Sequence, residues 1–319
     1  MSTSPQLDVV MYHYVRELAT SAFPRLKALA LSDFKRQVAW LTENYEMATL
    51  ESALAFLKGT YQPSRKLCLL TFDDGLKEHY SEVFPVLAAH KVRGLFFLIT
   101  GCLEDHAVAP VHMNHFLAAR LDWNTYTAEF MQEISRPLGD ISAVPAVDAD
   151  RAARTYPWDT REVREFKYLF NFVLDPAVRD QAVRVLFERH LGNEADFARN
   201  LYLSWDEARA MQDGGMVMGG HTHRHIPLAK LSPAQMTDDL TSCRQLLDAR
   251  LHAQTLWPFC YPYGKSDSFN QATVEKLSEL GFHCSFTTES AGNVPAADLY
   301  RIRRMDCNVA LRQQDGIAA

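Results

Sequence analysis

Long apolar runs are missing from this chain. No stretch of its 319 residues stays apolar long enough to cross a bilayer. The N-terminus, residues 1–8, is polar and lacks the basic-then-apolar pattern of an export signal. Lys/Arg runs are missing too: with a formal net charge of −6 and no basic tract, nothing predicts a nucleic-acid groove. The six cysteines, at 68, 102, 243, 260, 284 and 307, form no Cys-x-x-Cys pair, and several sit in apolar runs, as reduced core residues do. Repeats and low-complexity tracts are absent. These absences argue against a membrane-spanning helix, a disulfide scaffold and a nucleic-acid groove, and make a cytoplasmic protein the simplest expectation. What is present, 47% hydrophobic and 23% charged residues, suits one large α/β domain or one domain carrying a sizeable insertion. The oligomeric state leaves no mark in the sequence.

Strand and helix patterns alternate. Residues 8–14 (DVVMYHY) predict a first strand with His13 near its end, and Ser32 predicts the cap of a helix with Phe34, Val38 and Leu41 on one face. A second helix is expected over 50–58. Residues 67–72 read as a buried strand, 76–89 as a helix and 92–100 as a third buried strand. The alternation then stops. From about 101 to 203 the chain reads as a helical insertion, with helices over 112–121 and 161–191 around a Pro/Ala/Asp-rich loop at 136–157. It resumes with Ser204-Trp205-Asp206-Glu207, a capping box, then a strand at 216–219 and a helix opened by Ser232-Pro233. Strands at 255–261, 283–287 and 300–305 complete the pattern, with a helix over 269–280. Seven strands alternating with helices predict a parallel sheet, and the length favours closure into a distorted seven-stranded barrel.

The stretch Thr71-Phe72-Asp73-Asp74-Gly75 stands out. Two adjacent carboxylates at the end of a buried strand repel each other and lose hydration unless a cation holds them. Neighbours in a strand point to opposite sides, so the pair suits two separate tasks; an Asp-Gly turn that caps the next helix is the plainer alternative. The second such stretch is Gly220-His221-Thr222-His223-Arg224-His225. His221 and His225, four apart, can aim at one ion, although position 222 lacks the Glu of a zincin helix. With Asp74 they make two imidazoles and one carboxylate, a set that serves hydrolytic zinc or non-haem iron alike. His13, Asp73, Asp74, His221 and Tyr261-Pro262-Tyr263 all fall at predicted C-terminal strand ends, the rim where parallel barrels carry their active sites.

These residues carry a family resemblance. Thr71-Phe72-Asp73-Asp74-Gly75, His221-Thr222-x-x-His225 and Phe259-Cys260-Tyr261-Pro262-Tyr263-Gly264 resemble, in order, the first three motifs of the polysaccharide deacetylases, the NodB-homology carbohydrate esterases of family 4. Tyr12-His13-Tyr14 and Ser204-Trp205-Asp206-Glu207 match further segments of bacterial members, and only the insertion falls outside the likeness. The resemblance implies a distorted seven-stranded barrel. It also implies a divalent metal, zinc first, on Asp74, His221 and His225. Asp73 would be the general base for metal-activated water, Tyr263 would donate its backbone N–H to the oxyanion, and Tyr261 would line the substrate site.

Two departures from the family pattern follow. The third motif has Cys-Tyr-Pro-Tyr-Gly, the form of a subgroup that lacks the usual arginine beside the base. Arg304, in Ile302-Arg303-Arg304-Met305, is the candidate replacement, the alternative being a basic surface strand end. The C-terminal histidine motif that supplies the general acid is missing as well, and His13 is its substitute by position. His223 is expected to be a solvated loop residue. His112 and His115, three apart on one predicted helix, suit substrate contact or packing better than a second metal.

The implied activity is metal-dependent removal of an N-acetyl group from an amino sugar in bacterial surface-polysaccharide or lipopolysaccharide assembly. The insertion, leaving from the third strand, is expected beside the metal, where it favours a small or chain-end sugar. Two alternatives stay open: hydrolysis of another C–N amide on the same metal, and glycan binding with weak catalysis.

Overall fold

The sheet is built from short strands that are buried on both faces, as parallel strands covered by helices require. In the computed structural model, which describes residues 6–139, 141–157 and 159–314, seven of them follow chain order: β1 (Leu7–Tyr12), β2 (Leu67–Phe72), β3 (Gly94–Leu98), β4 (Val217–Gly220), β5 (Pro258–Cys260), β6 (Cys284–Phe286) and β7 (Met305–Asp306). All pairings are parallel, in the order β7-β1-β2-β3-β4-β5-β6. The two-residue strand Glu46–Met47 adds to β2. Ile302, just before β7, bridges to Phe286 of β6 while Met305 pairs with Val10 of β1. One short segment thus joins both edges of the sheet and gives the distorted barrel that the alternation predicts.

Alternation also sorts the side chains. Leu7 and Val9, Leu67 and Leu69, Leu95 and Phe97, Cys260, Cys284 and Phe286, and Ile302 share one core cluster with helix Leu50–Leu57. Each buried Leu or Phe contributes about 1.5–3 kcal/mol relative to exposure. The same period carries Thr71 within β2, Asp73 just past its end, and Arg304 two residues after Ile302 to the cluster's side of the sheet. The period therefore aims charged groups at an apolar interior.

The chain divides into two compact units. The first holds the strands above and comprises the chain up to Glu17, Lys27–Ala107 and everything from Ala198 on. The second comprises Leu18–Leu26 and Val108–Phe197 and is helical. Within it Phe23, Phe116, Phe187 and Phe197 meet edge to face, and Arg25 donates to the carbonyls of Ala119 and Leu121, which fixes the short segment to the helices.

Several elements differ from expectation. The first helix runs Leu31–Asn44 with Ala30 as its N-cap, so Ser32 lies inside the first turn and caps nothing. The expected helix over 76–89 is a π-turn, His79–Val83, followed by helix Phe84–Ala89. The expected helix over 161–191 breaks at Asp175-Pro176, where Asp175 caps a new helix, Pro176–Leu191. The loop expected at 136–157 contains helix Ala149–Thr155, capped by Asp148. Helix Trp123–Leu138, capped by Asp122, was not anticipated. Residues 1–5 of the polar N-terminal stretch lie outside the described residues. No helix among the described residues is long and apolar enough to cross a membrane.

Candidate active site

The site forms where β2, β4 and β5 end. Asp74 follows β2 in a left-handed conformation (φ 78°), and Thr222, His225 and Tyr263 are left-handed as well. Four of the seven described non-glycine residues with positive φ thus gather here, and such strain persists where function over-determines the backbone. Gly264 (φ 57°) completes the turn after Tyr263: a Cβ there would come within 2.6 Å of the Thr288 amide nitrogen.

The loop after β4 is held from several directions. His221 N–H donates to the Leu98 carbonyl, and the His225 amide donates to Thr222 Oγ1 at 2.8 Å. Asp239, 1% exposed on helix Pro233–Arg250, accepts from the amides of His223 and Arg224 and from Arg224 Nε. His223 is therefore not the solvated loop residue expected. Its carbonyl accepts from Gly101 N–H, and its ring lies 3.2 Å from Thr100 Oγ1, because a loop this tight must pair its backbone internally. A Cβ on Gly101 would strike that carbonyl at 2.5 Å.

The loop presents two imidazoles to one carboxylate. Nε2 of His221 and of His225 lie 3.4 and 3.5 Å from Asp74 Oδ1. The ligand atoms of the three residues all fall within 4.8 Å of one another. His221 Nδ1 lies 2.8 Å from the Cys260 carbonyl, which keeps a proton on that nitrogen and turns Nε2 toward Asp74. Burial opposes charge on His221, yet its contacts with Cys260 and Asp74 raise its proton affinity well above the ordinary imidazole range. The pocket draws in positive charge. Two nitrogens and one oxygen on this spacing fit a divalent cation.

Asp73 faces another way. Arg304, 1% exposed, grips it with both prongs, Nη1 to Oδ1 at 2.7 Å and Nη2 to Oδ2 at 2.8 Å. The guanidinium also donates to Thr71 Oγ1, the Thr287 carbonyl and Cys260 Sγ. Burial alone would raise the Asp73 carboxyl, but Arg304 outweighs it and holds the carboxyl down at about 2. Asp73, His221 and Cys260 also cluster within ligand distance, but the guanidinium already fills the space between Asp73 and Cys260, so a second cation there would meet a fixed positive charge.

The structure thus brings together Asp73, Asp74, His221, His225 and Arg304, the last from 231 residues beyond Asp73. His13 joins them: its Nε2 is 3.6 Å from Asp73 Oδ2, and its side chain is 41% exposed. The Tyr263 ring centroid lies 5.3 Å from that of His225. Tyr261 departs from expectation. Its ring stacks on Phe269 at 3.8 Å, its hydroxyl lies between Ser285 and the Tyr300 carbonyl, and it is 1% exposed, so it packs the core and offers no surface to a substrate. His112 and His115 lie in the second unit, 6.1 Å apart between ring centroids, and belong to none of the metal-competent groups among the described residues.

Sequence reasoning missed Asp239, His79 and the Cys260 thiol. Asp239 carried a signal, being an acid inside the apolar stripe Met236, Leu240, Cys243 and Leu247.

Comparison with known proteins gives three concordant findings. A family profile described as polysaccharide deacetylase matches residues 60–136 and 170–285. YxkH of Bacillus subtilis (strain 168), provisionally named a polysaccharide deacetylase, is 20% identical over 301 residues, 94% of this chain and 71% of that protein. The poly-beta-1,6-N-acetyl-D-glucosamine N-deacetylase of Escherichia coli K12 is 23% identical over 297 residues; the match covers 93% of this chain but 36% of that longer protein. Among solved structures, the Streptococcus pyogenes deacetylase PplD in complex with acetate superposes with a TM-score of 0.60 at 17% identity, covering 99% of this chain and 100% of PplD. IcaB from Ammonifex degensii gives 0.58 at 19% identity, covering 98% and 97%. At these identities the structural likeness is one of fold.

Proposed function

This chain belongs to the polysaccharide deacetylase family, and from that premise we propose that it hydrolyses N-acetyl groups from the amino sugars of a glycan with the help of a divalent metal, zinc first. The observation that carries the reading is the division of labour between adjacent acids: Asp74 faces two imidazoles, while Asp73 stays ionised against Arg304. Asp74, His221 and His225 would hold the metal. Bound there, the ion would supply a Lewis acid that acidifies water and polarises the acetyl carbonyl.

Asp73 would accept the proton that water loses, a task that requires it charged at neutral pH. Arg304 would keep it charged and fix its plane. The Tyr263 backbone N–H would donate to the developing oxyanion. His13, beside Asp73 and open to solvent, would protonate the leaving amine. The chain is read as one deacetylase domain with a helical insertion. The polysaccharide names of its relatives favour a polymeric N-acetylhexosamine over a lipopolysaccharide precursor as the first substrate to assay.

Acetate release from N-acetylglucosamine oligomers, with and without chelator, tests the proposal. Release that is lost with chelator, restored by zinc and abolished in Asp73→Asn supports it. Glycan binding without acetate would replace the enzyme with a binding protein, and formate or ring-opened products would replace the substrate class.

A further inference from the structure

His79 is fully buried, and the reading above gives it no task. It opens the π-turn His79–Val83, and its ring lies between Phe72 and Phe96, with centroids 5.7 and 5.6 Å away. Nε2 lies 3.0 Å from the carbonyl oxygen of His13. Nδ1 has no hydrogen-bond partner among the described residues, so a proton placed there would be buried and unsatisfied. The proton therefore sits on Nε2, and the imidazole donates to His13. Wide turns of this kind recur at functional sites.

The neighbouring residue completes a clamp. Glu78 accepts from Arg16 Nε at 2.6 Å and from Nη2 at 3.1 Å. Two consecutive residues of one turn thus grip both ends of the segment 13–16. The ladder between β1 and β2 stops one residue earlier, at the Tyr12 carbonyl, which accepts from Asp73 N–H. The His13 carbonyl lies just beyond that support, and an imidazole takes over where the sheet ends. The His13 side chain itself is 41% exposed, so its own packing holds it only in part.

We propose that His79 is a positioning residue: by donating to the His13 carbonyl it fixes the backbone from which the His13 ring reaches Asp73. The inference rests on the reading of His13 as the general acid. It predicts a residue that never touches substrate and yet sets kcat.

The test is a double-mutant cycle on the metal-loaded full chain, His79→Leu and His79→Gln in the native and His13→Ala backgrounds, with kcat, KM, bound zinc and Tm read for each. His79→Leu is expected to lower kcat about tenfold at nearly unchanged KM and zinc content. His79→Gln, which keeps a donor near Nε2, is expected to recover most of the loss. In the His13→Ala background His79→Leu should cost nothing further. Equal losses in both backgrounds, or a loss that tracks Tm in every variant, would overturn the positioning role. A His13→Ala chain with native kcat would overturn the acid reading instead and remove the ground for the clamp. Histidine side-chain 15N NMR gives an independent readout: the His79 proton should sit on Nε2, and a proton on Nδ1 sinks the proposal without any assay.

Discussion

Asp73 and Arg304 show what a buried ion pair requires. Two charges taken from water each lose several kcal/mol of hydration, and the pair persists only where every donor and acceptor is met. Here Thr71, Thr287 and Cys260 take the remaining guanidinium protons. Removing one partner leaves the other charge buried and alone. Arg304→Met should therefore destabilise the fold by about 3–5 kcal/mol, while Asp73→Asn/Arg304→Met together should recover a good part of it. Urea unfolding of the single and double variants measures both. Arg304→Lys cannot reproduce the two-pronged grip and should lower kcat even where it folds. His79 adds a pH signature. Burial is the main cause that holds its imidazole down at about 4, against 6.5 when exposed. Between those values the unfolded chain binds the proton and the folded chain does not. Stability is thus fully present above about pH 6.5 and falls as pH drops toward 4, by roughly 3 kcal/mol for this group. Unfolding free energies measured from pH 7 to 4 should show that slope, and His79→Gln should flatten it.

At the scale of elements, legibility followed locality. The strands were readable because parallel, doubly covered strands are short apolar runs. The capping box at Ser204 and the helix start at Ser232 were readable because a cap and its partner lie three residues apart, and the structure forms both, with Gln235 closing the box on Ser232. Ser32 misled because a serine inside a first turn looks in sequence like one before it. Helix Trp123–Leu138 was not anticipated, although Tyr126, Phe130 and Ile134 repeat at helical spacing. Arg304 could be named only as a candidate, since no local pattern links residues 231 positions apart. The loop that carries the candidate metal ligands shows the same limit: its two histidines could be named from the sequence, its support could not. Asp239 takes three N–H groups from that loop, and they come from His223 and Arg224 rather than from the candidate ligands. Asp239→Ala should leave the ligand set intact but weaken zinc binding about 10- to 100-fold, as loss of an outer partner does. Competition against a chromophoric chelator would read this, and an unchanged affinity would mean that the loop holds its shape without Asp239.

For the whole molecule, the candidate ligands tie together chain segments that meet only on folding. Asp74 comes from the end of β2, and His221 and His225 from the loop after β4. In the unfolded chain Asp74 is separated from both histidines by a loop of well over a hundred residues, so the triad cannot form there at useful concentration. A cation that binds this set binds the folded state alone, and its binding free energy adds directly to stability. At a free concentration of about a thousand times Kd the gain is about 4 kcal/mol, an upshift in Tm of roughly 6 °C for a chain of this size. Thermal unfolding with graded zinc should show that rise, and it should reverse with chelator. His221→Ala should abolish the zinc-dependent part. Asp73→Asn should keep it, because Asp73 lies in the grip of Arg304 rather than among the ligands. Were the zinc shift to vanish in Asp73→Asn and survive in Asp74→Asn, the two adjacent acids would have exchanged tasks, and the assignment of base and ligand would have to be reversed.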